Sequence, residues 1–185
     1  MVVDTPLKRN LFISETITQA SMKKITQDIV DINDLDEEIA AQYQIQRMIY
    51  TPKPIKLYID SYGGQIYSCF GLLGIIEKSK TPIHTIVTGC ACSAAFLISI
   101  TGHKRYGYDK STFMYHEASK VTAGKLTEIK EDVDVLEKLQ VILDKHVIDN
   151  TKISLEKLNK LNRKKKDWYV DSKKAIKLGI IDEII

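Results

Sequence analysis

The chain has little of what would staple a small protein together or carry it into a membrane. Cysteine is scarce: of 185 residues only Cys69, Cys90 and Cys92 are cysteine. An odd count with no C-x-x-C pair supports neither a disulfide framework nor a zinc site. Cys90 and Cys92 stand in an apolar run and are expected to be buried as small hydrophobes. None of the four histidines falls in HExxH or another ligand spacing, so metal chemistry is unsupported. The longest apolar stretch, around Ala91 to Ile100, is too short to cross a bilayer. Met1 to Pro6 shows no basic region followed by an apolar one, so no signal peptide is read. The expected setting is soluble, reducing and cytoplasmic, with no membrane partner. An excess of charge of one sign is also missing. Lys and Arg number 27 against 24 Asp and Glu, a net charge of +3, which argues against nucleic acid as the main partner. The one basic run, Arg163-Lys164-Lys165-Lys166, reads as a solvated loop. With no repeat and no low-complexity linker, residues 1–185 read as a single domain. That length buries roughly 70% of the surface its unfolded chain exposes.

The patterns that are present alternate between strand and helix. Lys8 to Ile13 reads as a short strand with Leu11 and Ile13 on one side. Thr18 to Ile32 carries Ile25, Ile29 and Ile32 at helical spacing, and Leu35 to Ile49 is a second helix candidate that Pro52 and Pro54 would close off. Ile55 to Ile59 is a strand ending at a turn, Asp60-Ser61-Tyr62-Gly63-Gly64. Ile66 to Ile76 reads as a helix in which Gly71 and Gly74 permit close packing. Ile83 to Val87 is an apolar strand ended by Gly89, and a helix follows to Ile100 with Ser93 at or near its N-cap. Arg105 to Tyr108 and Thr112 to Tyr115 read as short strands. Leu126 to Val147 is a long amphipathic helix with Leu126, Ile129, Val133, Leu136, Leu139 and Leu143 as its apolar stripe. Leu155 to Leu161 and Ala175 to Leu178 are shorter helices, the last stopped by Gly179. This alternation implies an α/β fold with a largely parallel sheet.

Four places could carry chemistry. Ser93 sits among Gly89, Cys90, Ala91, Cys92, Ala94 and Ala95, and small neighbours at a strand-to-helix turn can expose a hydroxyl beside free helix N–H groups. A helix cap in a tight turn explains the same residues, and the segment is not the G-x-S-x-G elbow. Gly63-Gly64 could aim a backbone N–H into a site or simply form a turn. No phosphate-loop pattern follows it. His116 ends an apolar strand, a common catalytic position, although a lone histidine is usually structural. By comparison His84 reads as core, His103 as exposed, and His146 as a charge suited to a helix C-terminus. Asp167, between the basic run and Trp168-Tyr169-Val170, could turn inward to a histidine or stay a loop charge.

Together these segments resemble the Clp protease (ClpP) family over about residues 8 to 185. The resemblance rests on "IKLYIDSYGG" at Ile55 to Gly64, "GCACSAAF" at Gly89 to Phe96, "TFMYHE" at Thr112 to Glu117, and "DWYVDSKKAIKLGIID" at Asp167 to Asp182, in family order and near-family spacing. It implies a ClpP/crotonase-type spiral α/β fold with a protruding helical handle, about 120–161, built on Leu126 to Val147. It implies Ser93 as nucleophile, His116 as base, Asp167 as the group orienting the histidine, and oxyanion donors from the backbone of Gly64 and Ala94. A serine endopeptidase cleaving peptides or unfolded proteins in a self-assembled chamber would follow, as a heptameric ring, alone or stacked as a tetradecamer, without metal or other cofactor. Tyr62 stands where the family has proline, the loop after Ser93 is one residue shorter, and Ala118 to Ala123 replaces a glycine-rich substrate strand. Lys165-Lys166 replaces an acid–arginine pair. The few residues before the first strand leave no room for the family's N-terminal hairpin, so partnership with a Clp ATPase is left open. Two other classes compete: a catalytically silent ring subunit or scaffold, and an acyl-CoA enzyme of the same superfamily.

Overall fold

The computed structural model describes residues 8–164 and 166–185. The short segment before residue 8 and Lys165 of the Lys165-Lys166 pair lie outside the described residues.

Alternation of apolar and polar residues sets the strands. β1 (Asn10–Ile13) buries Leu11 and Ile13 and turns Asn10 and Phe12 outward. β2 (Ile55–Ser61) buries every second residue, the period of two that one covered face requires. β3 (Ile83–Cys92) runs on past Gly89, where the sequence suggested a stop. The reason is local. The Asp60 carboxylate occupies the place a Cβ on residue 89 would take, and it accepts the Cys90 N–H at 2.9 Å. The first half of β3 pairs with β4 (Lys104–Gly107), and Cys90 to Cys92 pair instead with β5 (Thr112–Tyr115). The sheet therefore forks near Gly89. One branch continues through β4 to β7 (Glu183–Ile184), the other through β5 to β6 (Trp168–Asp171). Only the β5–β6 pair is antiparallel among the described strands.

One helix replaces two expected ones. α1 (Gln19–Ile45) is continuous over 27 residues, crossing the supposed break at Asn33-Asp34. Asn disfavours a helix when its side chain competes for backbone. Here the Asn33 amide donates to Ile29 O at 2.8 Å, and its carbonyl accepts the N–H groups of Lys80 and Thr81. Three residues on, Asp36 pairs with Arg9 at 2.6 Å. Burial pushes the Asp36 carboxyl up, but hydrogen bonds from Arg9, Thr81 and Tyr50 outweigh it and hold the group below the usual range.

α2 (Ile66–Lys78) buries Cys69, Leu72, Leu73 and Ile76, and α3 (Ala94–Thr101) is buried throughout. Gly71 and Gly74 face open space, so they do not mediate the close packing expected of them. α4 (Leu126–Asn150) buries Leu139, Leu143 and Val147, whereas Leu126 is 70% exposed. The expected apolar stripe is thus covered only in its C-terminal half, and the N-terminal half stands free. α5 (Leu155–Arg163) and α6 (Ser172–Lys177) follow, and Gly179 ends α6 at φ 67°. Arg105 locks the last strand in place, binding Asp182 at 2.6 Å and Gly179 O at 2.8 Å.

Candidate active site

The fork brings two strand ends together. Cys92 pairs with Met114 in parallel register, and the Ser93 N–H donates to Met114 O at 2.8 Å. Beyond Cys92 the chain enters α3 at once. Ser93 makes that turn at φ 55°, ψ −122°, a conformation costing a residue with a side chain roughly 1–3 kcal/mol. Its hydroxyl does not cap the helix. It meets Nε2 of His116 at 2.8 Å instead. A neutral imidazole accepts there when its proton sits on Nδ1.

Gly63 lies under this turn at φ 99°, and a Cβ on it would come within 2.6 Å of Cys92 O and 2.8 Å of Ser93 Cβ. At Gly64 a Cβ would collide with the Ile17 carbonyl. Ile17 N–H donates to Gly63 O and Gln65 N–H donates to Ile17 O, which fixes the turn from the far side. Among the described residues, neither Gly64 N–H nor Ala94 N–H, at the first position of α3, has an acceptor in a turn, loop or cap. Both residues line a cleft of about 220 Å³ that holds Ser93 and His116. Its apolar wall is Ile66, Leu97, Leu136, Leu139 and Leu143.

The thiols near the cleft are held in the protonated form. Burial pushes Cys69 up to about 12, and burial with its neighbour Cys92 does the same to Cys90. Cys92 is buried as expected, whereas Cys90, also expected inside, is half-exposed; Cys69 is buried as well.

Asp167 is exposed. It shares a small adjoining cavity of about 190 Å³ with His116, Asn162 and Lys166. No hydrogen bond joins its carboxylate to His116 among the described residues. The structure thus brings Ser93, His116, Gly64 and Ala94 to one cleft and sets Asp167 beside it. Three residues at this site had no local signal in the sequence. Tyr115, Gln140 and Asp144 form a polar cluster behind His116, with Tyr115 Oη donating to Asp144 at 2.5 Å. Burial first, then the bond to Asp144, push the Tyr115 phenol above its ordinary range.

The other histidines stand apart from the cleft. His103 is exposed and accepts the Ile83 N–H at Nδ1. His84 is half-exposed beside Tyr106 rather than in the core. His146 bonds Thr101 Oγ1 at 2.9 Å. Its burial lowers its pKa, only partly offset by Glu77, so it favours the neutral form and not the helix-end charge expected of it. Among the described residues no cluster of three or more His, Cys, Asp or Glu could hold a metal, and no helix is long and apolar enough to cross a membrane.

The family model for Clp protease matches residues 7–185. The chain belongs to the Clp protease family. It is 29% identical over 154 residues to the ATP-dependent Clp protease proteolytic subunit 2 of Treponema pallidum, covering 82% of this chain and 76% of that one. The protein of the same name from Treponema denticola is 30% identical over 153 residues, with the same coverage. That of Synechococcus sp. (strain CC9605) is 27% identical over 180 residues, 96% of this chain and 83% of its own. The mixed α/β fold with its parallel sheet is consistent with the Clp protease fold, and membership of the Clp protease family supports a peptidase.

Proposed function

We propose that this chain is a serine endopeptidase acting through an acyl-enzyme. The observation that carries the reading is the 2.8 Å contact between Ser93 Oγ and His116 Nε2, made by a serine held in a strained turn at the mouth of an apolar cleft. In this reading the Ser93 hydroxyl attacks a peptide carbonyl while His116 Nε2 takes its proton. Two N–H groups, Gly64 and Ala94, receive the oxyanion, each donor typically worth roughly 3–4 kcal/mol. His116 then protonates the departing amine, and water, deprotonated by the same ring, releases the acyl group. Asp167 would turn onto His116 Nδ1 to fix the tautomer and stabilise the imidazolium. Its place in the cavity beside His116 supports that role.

The apolar wall suits unfolded or short peptides with an apolar side chain at the cleaved residue. The free half of α4 would be the handle, and assembly into a heptameric ring, alone or stacked as a tetradecamer, would enclose the clefts. A Clp ATPase is the partner that family membership suggests, and a cytoplasmic setting fits it. A second reading is a silent ring subunit, favoured by the missing bond between Asp167 and His116.

Cleavage of a fluorogenic peptide by wild type and by Ser93→Ala, each with its assembly state measured, separates the two. The peptidase reading expects cleavage by wild type and none by the variant at unchanged assembly. Equal turnover by both, or none by either in the assembled state, would overturn it.

A further inference from the structure

His116 lies one residue beyond the last rung of the sheet. β5 ends at Tyr115, which pairs with Trp168, and the chain then runs without regular structure to α4. The ladder therefore does not hold the imidazole. A side chain from α4 holds the segment on both sides of it. Gln140 Nε2 donates to Tyr115 Oη and to Asp144 Oδ1, each at 2.8 Å. Its other end, Oε1, accepts the Ala118 N–H at 2.8 Å. One carboxamide thus closes the four-residue segment Tyr115 to Ala118 into a loop with His116 inside it. The loop rests on buried groups: Tyr115 is 4% exposed and Asp144 7%. Such a network is stiff when complete and costly when broken, because a buried polar group that loses its partner cannot turn to water. Leu139 and Leu143, next to Gln140 and Asp144 on α4, are buried and line the cleft, so this part of α4 is itself fixed.

We propose that Gln140, with Tyr115 and Asp144, is a positioning cluster that sets His116 against Ser93. The proposal rests on the peptidase reading for its effect on rate, though not for its geometry. Gln140 does not line the cleft, and its bonds go to Tyr115, Asp144 and Ala118 and not to Ser93 or the His116 ring. It determines where the peptide on each side of His116 lies, and a base displaced by about 1 Å loses on the order of 100-fold in rate.

The test compares wild type with Gln140→Met, which keeps the bulk and removes the hydrogen bonds. Tyr115→Phe keeps the ring against Phe96 and removes the phenol. Val147→Ala is the control, on the same helix, buried, and outside both cluster and cleft. All are measured well below their melting temperatures, by peptide kcat and KM and by NMR titration of the His116 imidazole. The expected result for Gln140→Met is a kcat lowered about 10- to 100-fold with KM nearly unchanged, and a shifted His116 titration. Tyr115→Phe moves both readouts the same way and less. Val147→Ala lowers the melting temperature but neither readout. The imidazole titration reports the geometry whether or not Ser93 reacts, so failure of the peptidase reading would show as absent turnover in wild type with the titration difference intact. A wild-type His116 titration in both Gln140→Met and Tyr115→Phe would overturn the positioning role.

Discussion

Ser93 Oγ and His116 Nε2 lie 2.8 Å apart although 23 residues separate them in sequence. The contact is a consequence of the fork in the sheet. β3 changes partner from β4 to β5 near Gly89, and the carboxyl ends of β3 and β5 then finish side by side. Strand ends of an open parallel sheet are where such folds place their ligands, and here a serine and a histidine occupy two of them.

The strained turn at Ser93 carries the first prediction. Ser93→Ala and Ser93→Gly both remove the hydroxyl, so their difference isolates the backbone. Glycine adopts φ 55° without the clash, at the cost of more entropy in the unfolded chain. Ser93→Gly is expected to be about 1 kcal/mol more stable than Ser93→Ala by urea denaturation, and both are expected to be inactive.

Gly63 underlies the same turn. Gly63→Ala would press a methyl group to 2.6 Å from Cys92 O at a φ of 99°. The expected outcome is a stability loss of about 1–3 kcal/mol together with a drop in Ser93 reactivity that persists at temperatures where the variant is fully folded. A folded variant with wild-type acylation kinetics would show that the turn tolerates displacement.

Stability should also depend on pH through His146. Burial lowers its pKa in the folded protein, so the unfolded chain takes up the proton first. Its stabilising contribution is complete above the ordinary histidine value of about 6.5 and is lost as pH falls through the lower folded value. His84, lowered by burial and by Lys104, acts with the same sign. Denaturation midpoints from pH 7.5 to 5 should fall for wild type and fall less for His146→Gln, which leaves the His84 contribution.

Much of this architecture is legible in the sequence because it is written in local periodicity. Leu11 and Ile13, the alternation from Ile55 to Ile59, and the helix of Leu126 to Val147 all announce themselves. The errors lie where distant side chains decide. α1 continues through Asn33 because residues 80 and 81 bond to it, and β3 continues through Gly89 because Asp60 fills the space. Ser93 looks like a helix cap until His116 is placed beside it. Gln140, Tyr115 and Asp144 look like ordinary residues of a strand end and a helix face, since no local pattern marks a hydrogen bond across 25 residues. Gly71 and Gly74 mislead in the other direction, being read as packing positions and found in the open.

Covalent labelling separates an activated Ser93 from an inert one. Folded protein, in each assembly state it adopts, is treated with a fluorophosphonate and examined by intact mass and peptide mapping. One adduct per chain is expected, on Ser93, absent from Ser93→Ala and strongly slowed in His116→Ala. Folded, assembled protein that acquires no adduct, or an adduct that persists in Ser93→Ala, would contradict it.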